Sequence, residues 1–399
     1  MLKHIDIKNF RSCYSTSVGC GESVCGLVGK NGVGKTNVLK CIDWVASSSI
    51  STEPIRIAQA GNASQGLDEV AATLVLELGD DRYEYGLTVP FPHARGMGRA
   101  DSPRDSLTVL DDGERTDVFR RDGETIRVGG RPGPIRVPRS TPSLAALLSL
   151  LPEDDALRAP LQAVASFFAG VRYYAFEEPA EFRDSVTEEQ YNEWLATFQA
   201  GGFPTRSIAL RLLYMWLEER DRFDEVGAIL GPDGLGLFEQ FHILKFESTI
   251  DPTSLKEIKS ANKTIYLPVF TPSPQMGGAG KPFPLSDLSV GTRRVIGMVT
   301  SLLFDGRSLM LMEQPEDSVH PGLLRKLIDL LRSYSDRSQI LFTTHSSDVL
   351  DILRPEEVLM ATAHHGATSV RPLSPDEITR ARRFLKDEGS LSDFLEPFD

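Results

Sequence analysis

The chain contains no run approaching the roughly 20 uninterrupted apolar residues that a membrane helix needs. Its first residues, MLKHIDIKNF, alternate apolar and polar side chains instead of forming the apolar centre of a signal peptide. The expectation is a cytoplasmic protein with no membrane partner. Cysteine is scarce: Cys13, Cys20, Cys25 and Cys41 all precede Ile42, none lies in a Cys-x-x-Cys pair, and no histidine cluster accompanies them. Buried reduced thiols are therefore expected rather than a zinc centre. An excess of positive charge is also missing, and a net charge of -13 argues against attraction of the whole surface to nucleic acid. No sustained heptads mark a coiled-coil arm, and no internal repeat is visible.

What is present is an ordinary globular composition, 41% apolar and 25% charged over 399 residues, which suffices for a large core and two lobes or more. Charge is unevenly spread. Between His93 and Arg139 there are ten arginines against eight acids, and from Thr125 onward this stretch holds Arg127, Arg131, Arg136 and Arg139 with no acid. It reads either as a solvated loop or as a phosphate-contacting patch able to touch DNA.

Hydrophobic patterning divides the chain. HIDIKNF has period two and places Ile5 and Ile7 on one face; ESVCGLVG is an apolar strand that runs into glycines, after which Val38, Ile42 and Val45 recur at helical spacing. Two β-rich runs flank Gly79-Asp80-Asp81, a hairpin signal. From Ser143 to about Phe246 the pattern predicts a mainly helical middle, and TPSPQMGGAGKPFP (271–284) reads as a mobile linker. The last segment alternates strand and helix, as parallel sheet requires. The expected division is an N-terminal lobe with a β-rich part over 1–142, a helical insertion over 143–265 and a C-terminal α/β lobe over 266–399.

The chemistry is concentrated in four places. Gly29 to Thr36 (GKNGVGKT) fits G-x-x-x-x-G-K-[ST]: the glycines let backbone N–H groups curl round a phosphate, Lys35 reaches the outer phosphates, and the Thr36 hydroxyl completes a magnesium shell. The strand LMLM ends in Glu313, an acid suited to hold that magnesium. Gln314 follows where a water-activating carboxylate is expected. An amide orients water but cannot take its proton, so hydrolysis should be slow. Ser289 and Gly291, in LSVGTRR, start a helix and present donors suited to a γ-phosphate; Ser-x-Gly is also an ordinary N-cap. His345, at the end of QILFTTH, suits either a γ-phosphate sensor or a capping role.

Taken together, IDIKNFRS, GKNGVGKTN, LSVGTRR, LMLMEQPEDSVHP and FTTHSSDVL resemble, in order, the motifs of ABC-type P-loop ATPase heads, the group that includes SMC, RecF and the Overcoming Lysogenisation Defect ATPases. The likeness is nearest to the stand-alone ATPases of bacterial anti-phage systems, whose acidic strand reads close to EEPE…HP. The resemblance implies an α/β fold with an antiparallel β portion in the N-terminal lobe and a helical insertion. It also implies a head-to-tail homodimer, or a higher oligomer, that sandwiches ATP and magnesium. Gly29, Asn31, Gly32, Gly34, Lys35, Thr36, Asn37 and Arg11 of one chain would meet Ser289 and Gly291 of the other; Thr36 and Glu313 would hold the metal, and Glu313, Gln314 and His345 would serve catalysis.

The family's nucleotide-contacting loop glutamine has no identifiable counterpart here, and Gln314 departs from the usual glutamate. Either the protein is a slow natural switch or the glutamine is a Glu→Gln change that traps the ATP-bound dimer. The acids from Asp348 to Glu396 lie in a segment too short for a nuclease fold, so a nuclease or toxin would be a separate effector chain. The implied function is an ATP-gated scaffold or sensor in anti-phage defence. The alternative is a RecF- or SMC-like DNA repair clamp.

Overall fold

Val24 to Val28 are buried on both sides, as a central strand of a parallel sheet must be. In the computed structural model, which describes residues 1–51, 69–90, 103–111, 113–139, 141–176, 183–199, 205–248, 263–272, 281–305, 308–387 and 389–395, this strand lies in a six-stranded sheet. The order is Val171–Tyr174, Leu309–Glu313, Gln339–Thr344, Val24–Val28, Val358–His364 and Ala367–Pro372. The first five run parallel and the last returns antiparallel. Register pairs Glu313 with Thr343 and Thr344 with Val28, so the acidic strand, the histidine strand and the glycine loop all emerge at one carboxyl edge. Ligands of open α/β sheets bind at such an edge.

A second, eight-stranded antiparallel sheet begins with Cys13–Gly19, Leu2–Phe10, Glu69–Leu78 and Asp81–Pro90. Ile5 and Ile7 point into its core, and Leu78 pairs with Asp81 across a hairpin whose Gly79 has φ 67°. The helix Lys35–Ile50 packs on both sheets. Val38, Ile42 and Val45 are buried with Leu39, Cys41 and Trp44, and the helices Ser143–Leu150 and Arg158–Ala169 pack beside it. All four cysteines are buried and free, and burial pushes the Cys25 thiol up to about 12, so none is a ready thiolate. The two sheets and these helices form one compact unit, Met1–Tyr174 with Arg307–Pro315 and Leu331–Asp399. This is the α/β P-loop fold with an antiparallel β portion that the motifs imply.

The other unit comprises Ala175–Gly306 and Glu316–Leu330. It contains the helices Glu188–Gln199, Ile208–Glu218, Arg220–Leu230 and Val290–Asp305, and a sheet ordered Val186–Thr187, Lys263–Pro272, Phe238–Ser248, with Phe283–Pro284 against the middle strand. The helical expectation up to Phe246 is corrected here, because Phe238–Ser248 is a strand. It pairs antiparallel with Lys263–Pro272 and stacks Phe241 on Phe270 at 4.8 Å. Of the expected linker, Thr271, Pro272, Phe283 and Pro284 lie in strands, while residues 273–280 lie outside the described residues.

Candidate functional site

The glycine loop turns directly from the strand Val24–Val28 into the helix Lys35–Ile50. Gly29, Gly32 and Gly34 have φ of 156°, 82° and 96°. Two of them resist replacement: a Cβ at Gly29 would collide with the Ala361 carbonyl, and at Gly34, whose backbone is left-handed, with the hydroxyls of Thr368 and Ser12. The helix starts with no side-chain cap, which leaves its first N–H groups for another acceptor. Lys35, 6% exposed, donates from Nζ to the carbonyls of Gly29 at 2.6 Å and Lys30 at 2.9 Å, which holds the ammonium over the loop. Asn37 accepts from Arg11 Nη1 at 3.3 Å, so the arginine of NFRS stands beside the first turn of this helix.

The Thr36 hydroxyl donates to Glu313 Oε1, which joins the loop to the acidic strand. Glu313 Oε2 accepts from the Tyr173 hydroxyl, so both carboxylate oxygens are engaged. Two oxygen donors side by side, one hydroxyl and one carboxylate, are the chemistry that magnesium selects. Tyr173 belongs to no motif, and only its place on the strand Val171–Tyr174, in parallel register with Leu309–Glu313, reveals it.

Gln314 sits at φ 43°, a left-handed conformation that costs a non-glycine residue about 1 kcal/mol or more. Its N–H is held by the Thr343 carbonyl at 3.1 Å, and its side-chain Nε2 lies 2.8 Å from His345 Nδ1. An amide nitrogen only donates, so Nδ1 accepts and the imidazole proton sits on Nε2. His345 is exposed, and with Gly29, Lys30 and Asn31 it lines a cavity of about 500 Å³. Gly29, Asn31, Gly32, Gly34, Lys35, Thr36, Asn37, Arg11, Glu313, Gln314 and His345 thus all belong to the first unit and gather at its sheet edge.

Ser289 and Gly291 belong to the other unit. The Ser289 hydroxyl accepts from Thr292 N–H at 3.2 Å and so caps the helix Val290–Asp305. A Cβ at Gly291 would collide with the Ser318 carbonyl, which explains the glycine by close approach. The adjoining Arg294 donates to the Ala175 carbonyl at 2.7 Å and lies 3.7 Å from the Asp317 carboxylate.

In the arginine-rich stretch, Arg131 meets Asp155 and Arg139 meets Glu124 at 2.9 Å. Arg127 and Arg136 sit on the last two strands of the antiparallel sheet. Two acids of the tail hold local structure: Asp351 accepts from Ser392 N–H at 2.8 Å, and Glu377 binds Arg371 through both oxygens.

A protein-family model described as "AAA domain, putative AbiEii toxin, Type IV TA system" matches residues 24–193 and 266–351, well over half of the chain. No curated protein matches it in sequence. Among solved structures, the SMC head domain from Thermotoga maritima is 13% identical with a TM-score of 0.46, the match covering 94% of this chain and 99% of that one. An Smc head domain with an extended coiled coil, bound to the C-terminal domain of ScpA derived from Pyrococcus furiosus, is 11% identical with a TM-score of 0.49, covering 97% and 99%. The assignment rests on the family match, whose first segment opens on the strand Val24–Val28 and takes in the whole glycine loop. The chain belongs to this AAA-domain family of P-loop ATPases.

Proposed function

We propose that the protein binds ATP with magnesium, hydrolyses it slowly, and works as a cytoplasmic homodimer whose ATP-bound state holds or releases a separate nuclease or toxin effector in anti-phage defence. The observation that carries this reading is the direct contact of the Thr36 hydroxyl with the Glu313 carboxylate, because it joins the phosphate loop to the acidic strand in one site. Thr36 and Glu313 would hold magnesium, which when bound offsets phosphate charge. Lys35 and the loop amides bind the phosphates. Gln314 and His345 orient water and the terminal phosphate, with no carboxylate at position 314 to accept the water's proton. The family description, a putative AbiEii toxin of a type IV toxin–antitoxin system, supports a defence-type setting for the ATPase. A dimer in which Ser289 and Gly291 face the nucleotide of the partner supplies the gate.

Placing a carboxylate at position 314 with Gln314→Glu should accelerate phosphate release from Mg·ATP by about 10² to 10⁴. It should also move the His345 proton to Nδ1, readable in imidazole ¹⁵N shifts. An unchanged rate removes the base role from position 314. Copurification from the native operon, with mass measured with and without ATP, tests the scaffold: a lone monomer in saturating Mg·ATP sinks it.

A further inference from the structure

The phosphate loop is held from outside its own motif. Thr368, 2% exposed on the returning strand Ala367–Pro372, donates its hydroxyl to the Val33 carbonyl at 2.8 Å. Its oxygen also lies 2.6 Å from Ser12 Oγ, and since its single proton is already given to Val33, Ser12 must be the donor in that pair. Ser12 Oγ in turn accepts from Asn37 Nδ2 at 2.8 Å, and Asn37 Oδ1 accepts from Arg11. Every proton in this series points the same way, from the Arg11 guanidinium through Asn37, Ser12 and Thr368 to the loop carbonyl. Such chains polarise each successive bond.

The end of the chain matters because a peptide group is planar and trans. With the Val33 carbonyl turned to Thr368, the N–H of the same peptide unit, that of Gly34, is turned to the opposite side. A hydrogen bond accepted by the carbonyl also strengthens that N–H as a donor. The loop glycines leave no side chain to do this work, and a side chain at Gly34 would occupy the space that the two hydroxyls fill.

Resting on the nucleotide reading above, we infer that Thr368 is a positioning residue for phosphate binding: with Ser12 it fixes and polarises the Val33–Gly34 peptide so that the Gly34 N–H is presented to a phosphate. Both residues lie outside the segments matched by the family model, 24–193 and 266–351, so the device is a property of this chain's N-terminal strands and C-terminal hairpin.

The test compares Thr368→Val, which keeps the shape and removes the hydroxyl, with Thr368→Ser, which keeps the hydroxyl. Binding of Mg·AMPPNP is measured by calorimetry on the full chain, with the melting temperature of the nucleotide-free protein alongside. Thr368→Val should weaken binding about tenfold, Thr368→Ser should stay within about twofold, and Ser12→Ala should repeat the loss from the other side. Equal affinities for wild type, Thr368→Val and Ser12→Ala overturn the inference while the nucleotide reading stands, as does a Thr368→Ser variant as weak as the valine. A wild-type chain that binds no nucleotide overturns the nucleotide reading and this inference with it. If Thr368→Val does not fold, Ser12→Ala and Thr368→Ser decide between these outcomes.

Discussion

Two helix starts in this molecule are built in opposite ways. The helix Lys35–Ile50 follows Gly34, a left-handed residue with no side chain to cap it. The helix Val290–Asp305 follows Ser289, whose hydroxyl accepts the Thr292 N–H. Both interrupt ordinary helix grammar with glycine, yet for different reasons: Gly34 makes room for the hydroxyls of Thr368 and Ser12, and Gly291 makes room for a neighbouring carbonyl. A helix start whose N–H groups are left to be satisfied from outside is an anion seat, whereas a capped start is complete within its own chain. The difference separates a helix start open to an outside acceptor from one already satisfied by its own serine.

The sharpest way to break this comparison is to give the first start a side chain. Gly34→Ala forces a Cβ onto a residue at φ 96° and into the hydroxyls of Thr368 and Ser12. The left-handed backbone costs alanine about 1–2 kcal/mol, and the disturbed hydroxyls add to it. A loss of about 2–3 kcal/mol in urea unfolding is expected. A variant as stable as wild type would show that the loop relaxes freely and that Thr368 does not grip it.

What the letters reveal differs between the same regions. LMLME and QILFTT were legible because a strand covered on both faces carries a near-continuous apolar run, here LMLM and ILF, so the acid that ends the first stands out. Ile5 with Ile7, and Val38 with Ile42 and Val45, were legible because period alone fixes which side faces the core. The strand Phe238–Ser248 was misread because Phe238, Phe241 and Leu244 recur every three residues, as on a helix. What makes it a strand is its pairing with Lys263–Pro272, a contact no local pattern encodes. Tyr173, Ser12 and Thr368 were invisible for a related reason. Each is one hydroxyl on an ordinary strand or, for Ser12, in the turn between two strands, and pairing between segments distant in sequence brings it to the loop or its acid.

The capped start can be tested for a second role. Ser289→Ala removes both the cap and any phosphate contact and should cost about 1 kcal/mol of stability, whereas Ser289→Gly should cost a few tenths. If Ser289 also meets the partner's nucleotide, the two variants should lose ATP-driven dimerisation equally despite their different stabilities, as seen by light scattering in Mg·ATP. Dimerisation that follows stability, with glycine close to wild type, would confine Ser289 to capping.

A third helix start, that of Pro375–Asp387 in the C-terminal tail, extends the comparison to a start capped by charge. Glu377 accepts from Ser374 N–H at 2.7 Å and returns its own N–H to the Ser374 hydroxyl at 3.3 Å, a capping box, while Arg371 holds both of its oxygens. The Arg371 hydrogen bonds, followed by that from the Ser374 backbone, lower the Glu377 carboxyl from 4.5 to about 2. A lowered acid stabilises the fold above its unfolded value, so the contribution is whole above pH 4.5 and disappears as pH falls toward 2. Because Arg371 is half exposed, solvent screening limits this contribution to about 1 kcal/mol. Glu377→Gln should therefore be less stable than wild type by about that much at pH 7, and the gap should narrow steadily as the pH is taken from 4.5 toward 2 in parallel urea titrations. A gap that stays constant down to pH 3 would mean that the ionised carboxylate adds nothing to this cap, and that the neutral hydrogen bonds of the box, which glutamine can reproduce only in part, account for the whole of it.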